Sequence, residues 1–310
     1  MESPLPDTLT APLVQPTTET DAAPPHAASR DSAQVRPRRK RVRRWFVALG
    51  VAALLCVLLL GYLRTSTGPA SGQGLMGVVP ELPPGKSIFR IGTFNMHSGV
   101  GEDDVYNLNR TIQAVRDTDL CALNEVRGRL RGEPRNQAEE LAQATSRAWL
   151  YLPSERRFWH DDFGNGLITR LPVREWVRTP LPTDPSHGGL RNATILRAEF
   201  GEREVQILLT HIDRSRDQAG QLRMVSRLFD SLAQPSMLLG DLNADSDNAE
   251  VRNLLARPGV HDCITEGGGA ARGRIDWILA RGIKTVGGSQ IQNGASDHPL
   301  YWVDVSIVAH

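Results

Sequence analysis

Nineteen consecutive residues, "WFVALGVAALLCVLLLGYL" from Trp45 to Leu63, carry no charge. At about 1.5 Å per residue, a helix of that length spans roughly the hydrocarbon thickness of a bilayer. The stretch predicts one transmembrane helix over 45–63 and divides the chain around it. "RPRRKRVRR" precedes the stretch, and only Arg64 follows closely. The positive-inside rule then puts the N-terminus in the cytoplasm and everything after Leu63 outside it. A cleaved export signal is the competing reading, because Arg43, Arg44 and Phe46 loosely resemble a twin-arginine signal. Cys56, inside the span, reads as a packing residue.

Residues 1–44 form a Pro-, Ala-, Thr- and Ser-rich tail that ends in the basic cluster. Its first 35 residues have no apolar period, and such a segment buries too little surface to offset the entropy of ordering. Residues 64–86, with "TSTGPASGQG" directly after Arg64, read as a flexible linker. The remaining stretch, 87–310, is long enough for one domain with a sizeable core. Nine of the 36 basic and five of the 35 acidic residues fall within the first 69, leaving 27 basic against 30 acidic beyond. A domain of that sign does not coat nucleic acid through non-specific phosphate contacts, although a nuclease stays compatible with it. Cys121 and Cys263 are the two cysteines outside the span. They read either as one disulfide or as two separate buried thiols.

From Ser87 onward the apolar runs are short and strand-like: "SIFRIGTF", "DLCALNEV", "NGLITR", "NATILRAEF", "EVQILLTH", "SMLLGDLN", "RIDWILA" and "LYWVDVSIV". Helical pattern occurs at Asn107 to Arg116, Asn136 to Arg147, Gln218 to Leu232 and Asn248 to Leu255. The domain is α/β with more strands than helices. Four of the apolar runs close on polar residues: Asn95, Glu125, His211, and Asp241 with Asn243. Strand ends that open onto loops hold side chains rigidly without filling the core, and ligands gather there.

Each of these residues alone has an ordinary structural explanation, as a turn, a cap or a surface ion pair. Their spacing adds to the argument. "GDLN" puts Asp241 and Asn243 two apart and so, in an extended segment, on one face, with Gly240 permitting a close approach to the backbone. In "SDHPL", adjacent Asp297 and His298 belong to the loop before the last strand. Asp276 lies between apolar neighbours in "RIDWIL". A lone buried carboxylate is costly, and His298 is its natural partner.

"TFNMHSG", "ALNEV", "GNGLITR", "LLTHID", "LLGDLNA", "RIDWILA" and "SDHPL" resemble, in order, the motifs of the endonuclease/exonuclease/phosphatase superfamily, metal-dependent phosphoesterases of DNase I-like fold. "NMHSGVGEDDVYNLNRTIQAV" is similar especially to bacterial members and to the soluble domain of proteins linked to remodelling of glycolipid anchors. The resemblance covers residues 88 to 308. It implies two packed mixed β-sheets flanked by helices, a four-layer α/β/β/α sandwich, here preceded by the transmembrane helix. It also implies Mg²⁺ or Mn²⁺, with Glu125 as main ligand and Asn95 and Asp297 in or near its shell, since hard cations take oxygen ligands. Asp241 becomes the base for an attacking water, and Asn243 holds that water or donates to the phosphoryl group. His211 and His298 donate to the remaining oxygens, with Asp276 fixing His298. Asn165 is implied to position substrate, with a tight turn of Gly164, Asn165 and Gly166 as the alternative; Arg191, apart from the resemblance, reads as a phosphate contact or as a solvated surface residue. One departure is Asn124, where the family usually has Gln, which bears on a contact behind the metal ligand. His97, His160 and His187 read as loop histidines, and no Cys/His spacing suggests zinc.

The reading that follows is a membrane-anchored metal-dependent phosphodiesterase or phosphatase whose substrate is a phospholipid head group or a glycolipid, with no obligate protein partner. An extracytoplasmic endonuclease acting on DNA is the alternative, for which "RGRLRGEPR" offers a basic cluster. A non-catalytic anchored binding module is the third reading.

Overall fold

A computed structural model describes residues 38–62, 64–68, 70–128, 135–157, 161–184, 189–214, 216–269 and 273–307. The first 37 residues of the tail, His160, His187 and positions 129–134 of the basic cluster lie outside the described residues. In chain order the first elements are α1 (Arg38–Tyr62), β1 (Arg64–Ser66), β2 (Ala70–Gln73), β3 (Ile88–Asn95), α2 (Leu108–Val115), β4 (Leu120–Arg127), α3 (Gln137–Thr145), β5 (Ala148–Arg157), β6 (Phe163–Thr169) and β7 (Val173–Pro180). They are followed by β8 (Asn192–Phe200), β9 (Arg203–His211), α4 (Gln218–Ser231), β10 (Ser236–Asp241), α5 (Ala249–Leu255), β11 (His261–Asp262), α6 (Cys263–Glu266), β12 (Asp276–Arg281), β13 (Lys284–Ile291) and β14 (Leu300–Ser306).

Helix α1 is continuous, and its Val42–Leu60 stretch has a mean hydropathy of 2.0 and no burial. It is long and apolar enough to cross a membrane. The chain divides into two compact units within this helix, at Ala52/Ala53, and the second holds the sheets.

The strands form two seven-stranded sheets, ordered β1-β5-β6-β4-β3-β14-β13 and β11-β12-β10-β9-β8-β7-β2. Side chains alternate across a strand, and the chain uses both faces. Ile91, Leu120, Leu152 and Leu167 of the first sheet meet Ile207, Leu209, Met237 and Ile278 of the second in the central core. Leu208 and Leu238, out of phase with that set, pack outward on Leu222, Val225 and Phe229 of α4 and on Val251 and Leu254 of α5. On the other side Phe94, Cys121 and Leu123 pack outward on Leu108 and Val115 of α2 and Leu141 of α3. The result is the four-layer α/β/β/α sandwich.

Helices start where sequence chemistry allows it. Asn107, Asn136 and Asn248 each accept a hydrogen bond from the first turn of α2, α3 and α5, and Glu139 and Glu140 occupy the electropositive end of α3.

The linker expectation for 64–86 is corrected in its first half. β1 pairs with β5 and β2 with β7, so the segment occupies one edge of each sheet. Leu75 and Leu82 then pack against the central core. Unpaired strand edges and an incompletely covered core recruit this chain, although its Gly/Ser/Thr composition reads as coil. Cys121 and Cys263 are both buried free thiols. They sit in different clusters, Cys121 under the helices and Cys263 between the sheets.

Candidate active site

Strand parity and register build the site before any side-chain contact is considered. Ile91, Thr93 and Asn95 share one face of β3, and Leu120, Ala122 and Asn124 one face of β4. Leu209 and His211 do so on β9, Leu239 and Asp241 on β10, and Asp276 and Ile278 on β12. In each case the apolar members belong to the central core. The polar member is therefore the next inward residue, at the rim of the seam between the sheets. Register brings these rims together: Asn95 pairs with Asn124 across β3 and β4, and Asp241 pairs with both His211 and Asp276 on its flanking strands.

Asn95, Asn124, Asn165, His211, Asp241 and Asp276 are all at most 3 % exposed, and they are linked. Asn95 Nδ2 donates to Asp241 Oδ2 at 3.0 Å and to Glu125 Oε1 at 3.4 Å. Its Oδ1 accepts from the His97 backbone at 3.2 Å. The amide nitrogen, and not the oxygen expected to reach a cation, thus faces the two carboxylates. Asn124, the departure from the family pattern, uses its whole amide. It donates to Asn165 Oδ1 and to the Thr210 carbonyl, and accepts from the Asp241 backbone N–H at 3.0 Å. Asn165 in turn donates to Asn192 at 3.2 Å. Asn192 itself donates to the carbonyls of Leu152 and Pro153 and to Ser154 Oγ, tying β8 to β5.

The backbone is bent to present this set. Glu125 has φ 59°, next to a register shift between Leu123 and Val126, and is the half-buried residue at which β4 turns its carboxylate into the seam. Gly240 has φ 141°, and a Cβ there would lie 1.9 Å from the Thr210 carbonyl oxygen. The close approach allowed by this glycine is therefore that of β9. Asn243 has φ 46°, so a turn, and not an extended segment, brings it back to Asp241, whose Oδ1 accepts its N–H at 2.7 Å.

His298 Nδ1 lies 2.7 Å from Asp276 Oδ2, and its Nε2 lies 3.9 Å from Asp241 Oδ2. The loop carrying it is held by Ser296, whose hydroxyl donates to the Asn95 carbonyl at 2.7 Å and accepts from the His298 N–H. His211 is buried, with Nε2 3.2 Å from Asn243 Nδ2 and 3.5 Å from Asp241 Oδ2. It therefore contacts the carboxylate and the amide, and not open space where a phosphate oxygen would sit. Asn243 Nδ2 also donates to the Ile212 carbonyl at 2.8 Å. That leaves its Oδ1 to hold a water.

The electrostatics follow from burial. Burial, aided by the charge of Asp276, pushes the Asp241 carboxyl up to about 7. Burial works against protonating His298, but the hydrogen bond to Asp276, with the charges of Asp276, Asp241 and Asp297, lifts it to about 9. His211 stays neutral, held well below the ordinary imidazole value by burial and then by Arg191 and His298. Arg191 is pulled below its ordinary value by burial, while Asp213, Glu125, Glu155 and Asp241 act in the opposite direction. Its Nε has no hydrogen-bond partner among the described residues, and the guanidinium stands 5.8 Å from the Phe163 ring.

Asp297 is exposed, at 58 % of its side chain, and its Oδ1 lies 3.6 Å from His97 Nδ1. His97, read from sequence as a loop histidine, therefore joins the rim of the site. Its φ of 44° and the Asn95 contact place it there, and a histidine in a polar "NMHSG" loop gives no sequence signal of that position. Asn124, Asn192 and Ser296 complete the network, and of these only Asn124 stands out in the sequence.

A hard divalent cation fits the donor set. Among the described residues the one hydrogen bond to the Glu125 carboxylate is the long one from Asn95, so a half-buried charge lacks full compensation. Asp241, Asp276 and His298 also present ligand atoms within 4.8 Å of one another. His298 is held by Asp276 and protonated in that trio, which sets its imidazole against a cation, so the all-oxygen Glu125 side suits a hard cation better.

The Endonuclease/Exonuclease/phosphatase family model matches residues 92–298. Comparison with curated proteins gives no match. Among solved structures, an endonuclease/exonuclease/phosphatase from Beutenbergia cavernae DSM 12333 superposes with a TM-score of 0.59 at 22 % identity, covering 72 % of each chain. TDP2 of D. rerio with a single-strand DNA product gives 0.53 at 18 % identity, over 71 % of this chain and all of that one. The human Nocturnin catalytic domain gives 0.55 at 14 % identity, over 72 % of this chain and 94 % of that one. At these identities the likeness is one of fold.

Proposed function

Because the chain belongs to the endonuclease/exonuclease/phosphatase family and is a phosphoester hydrolase, we propose that it is a membrane-anchored, divalent-metal-dependent phosphodiesterase or phosphatase acting on a phospholipid head group or a glycolipid. The apolar α1 stretch supports the anchoring, and the basic cluster before it supports a cytoplasmic N-terminus with the sandwich outside. The observation that carries the chemistry is the convergence of Asp241 and His298 in the seam, with Asp276 fixing the imidazole.

Glu125 would be the main ligand of a Mg²⁺ or Mn²⁺ ion, Asp297 would lie in or near its shell, and Asn95, which donates to both carboxylates, would space Glu125 from Asp241. When bound, the cation polarises a phosphoryl oxygen and shields the charge that develops on it. Asp241, raised to about 7, accepts the proton of the attacking water near neutral pH, where a general base is most effective. Asn243 Oδ1 orients that water. His298, protonated at the same pH and locked by Asp276, donates to the phosphoryl oxygens. His211 holds Asp241 and Asn243 in place, Asn165 secures Asn124 and through it Asp241, and Arg191 offers its guanidinium to the substrate phosphate. The P–O bond to the leaving group breaks as the water oxygen bonds to phosphorus, and the departing alkoxide takes up a proton from solvent.

The test presents the purified chain, with Mg²⁺ or Mn²⁺, to sphingomyelin, phosphoinositides, plasmid DNA and bis(p-nitrophenyl) phosphate in parallel, with Asp241→Ala and His298→Ala as controls. Lipid and generic diester turnover lost in both variants is the expected result. Near wild-type hydrolysis by either variant refutes the site. Nicking of plasmid without lipid turnover would replace the lipid reading by the nuclease one, which draws support from the likeness to TDP2 with its DNA product.

A further inference from the structure

We propose that the segment following the apolar helix is a strap that holds the active-site rim of the sandwich against the bilayer, so that the enzyme hydrolyses phosphoesters of lipid head groups in its own membrane. This rests on the anchored hydrolase reading above, and it narrows the substrate to one presented in the plane of the membrane.

The inference comes from register. Helix α1 ends at Tyr62 and β1 begins at Arg64, a separation of at most about 7 Å along the chain. β1 is antiparallel to β5, with Arg64 opposite Arg157, Thr65 opposite Arg156 and Ser66 opposite Glu155. Glu155 is opposite Phe163 on β6, and Phe163 is opposite Arg127 on β4, two residues beyond Glu125. Three strand spacings, about 15 Å in all, therefore separate the first residues after the helix from the strand end that carries the proposed metal ligand. Arg191 stands over Phe163 on the same path. The chain thus enters the domain at the rim where Asn95, Glu125, His211 and Asp241 converge, and not at the opposite rim. The turn between β8 and β9 marks that far rim. From Arg203 to His211 β9 runs nine residues, about 30 Å.

The strap is held at several points. Thr67 Oγ1 donates to the Pro153 carbonyl at 2.7 Å, and Arg178 Nη2 donates to the Gly68 carbonyl at 2.8 Å. Beyond β2, Met76 and Trp149 exchange backbone hydrogen bonds at 3.0 and 2.9 Å. A free linker of the same composition would let the domain wander by roughly 25 Å and turn at will. A strap fixed to both sheets shortens that tether to the residues between Tyr62 and Arg64. Head-group phosphates lie within about 8 Å of the hydrocarbon edge, which is within reach of a cleft so tethered.

The experiment reconstitutes the full chain in phosphatidylcholine/phosphatidylglycerol vesicles containing an acceptor-labelled lipid. A donor dye is placed on Arg156→Cys, beside the strap, or on Glu202→Cys, at the far rim, both in a Cys56→Ser background. Energy transfer at least twofold stronger from position 156 is expected, and a twenty-residue Gly/Ser insertion between Tyr62 and Arg64 should abolish the difference. Equal or reversed transfer without the insertion overturns the orientation. A second arm compares hexadecyl p-nitrophenyl phosphate in the protein's own vesicles with the same ester in separate, protein-free vesicles, and with bis(p-nitrophenyl) phosphate in solution. At least tenfold preference for the own-vesicle ester is expected. The insertion should lower that preference severalfold and leave the soluble ester unaffected. Turnover of both esters without preference overturns the substrate assignment alone. If neither ester is hydrolysed, the hydrolase reading and its substrate fall together, and the transfer arm still decides the orientation.

Discussion

Asp241 and His298 sit 3.9 Å apart and both bind their proton more tightly in the folded chain than in the unfolded one. For Asp241, raised from 3.8 to about 7, the folded state holds the extra proton between those values, so stability falls as pH rises through that window. For His298, raised from 6.5 to about 9, the contribution is complete below 6.5 and lost as pH rises through 9. The second effect is worth roughly 3 kcal/mol. In EDTA the melting temperature is expected to fall by about 5–10 °C between pH 5 and pH 9. Mg²⁺ should flatten the slope, because a cation offsets the charge on the carboxylates. A scan of melting temperature against pH with and without Mg²⁺ checks both statements, and a rising metal-free curve contradicts them. The same crowding separates activity from stability. Asp241→Asn removes one of two adjacent carboxylates, so turnover should drop about 10²–10⁴-fold while the metal-free protein melts no lower than wild type. Asp276→Asn should lower turnover less, with KM little changed, and shift the basic limb of the rate profile to lower pH.

At the scale of elements, the legible strands are those with an unbroken apolar face. "EVQILLTH" and "SMLLGDLN" run straight into β9 and β10, and the four helices lie within a residue or two of their sequence limits. β5, β7 and β13 were not legible. Pro153 and the polar half "SERR" break the pattern of β5, β7 is a largely polar strand near an edge, and β13 carries Gly287 and Gly288 at the edge of its sheet. Edge and near-edge strands owe their form to a neighbour's hydrogen bonds, which composition does not display. In the site, the strand-end residues Asn95, Glu125, His211 and Asp241 were legible because apolar runs point at them. Asn192, Ser296 and His97 were not, because each is defined by a contact with a distant segment. Gly240 is where element geometry is most constrained. In Gly240→Ala the new Cβ would meet the Thr210 carbonyl at 1.9 Å, and β9 cannot withdraw without moving His211. A loss of about 3 kcal/mol or more is expected in urea denaturation, together with loss of turnover. A variant of wild-type midpoint would show that the β9–β10 approach is softer than its register implies.

For the whole molecule, the boundary of the folded unit matters more than its catalytic residues, and the sequence boundary at residue 87 cuts through it. β1 and β2 each complete one sheet, while Leu75 and Leu82 cover the central core they share. Trp176 packs on the strap so tightly that a Cβ at Gly72 would lie 2.7 Å from its ring. A chain starting at Ser87 would therefore bare the edges of β5 and β7 and part of the seam between the sheets. Exposed edges of that kind pair with other chains. A chain starting at Arg64 keeps both edges paired and lacks only the tail and the helix. By size-exclusion chromatography the longer fragment is expected to run as a monomer, and the shorter one to aggregate or elute as mixed oligomers. The shorter fragment should also melt lower. Cys121 and Cys263, whose thiols burial pushes up to about 12, should resist alkylation at pH 8 in the longer fragment. Cys263, in the core that Leu75 and Leu82 cover, should react first in the shorter one. Two fragments equal in size, melting and thiol protection would make the strap an ornament on a domain already complete without it.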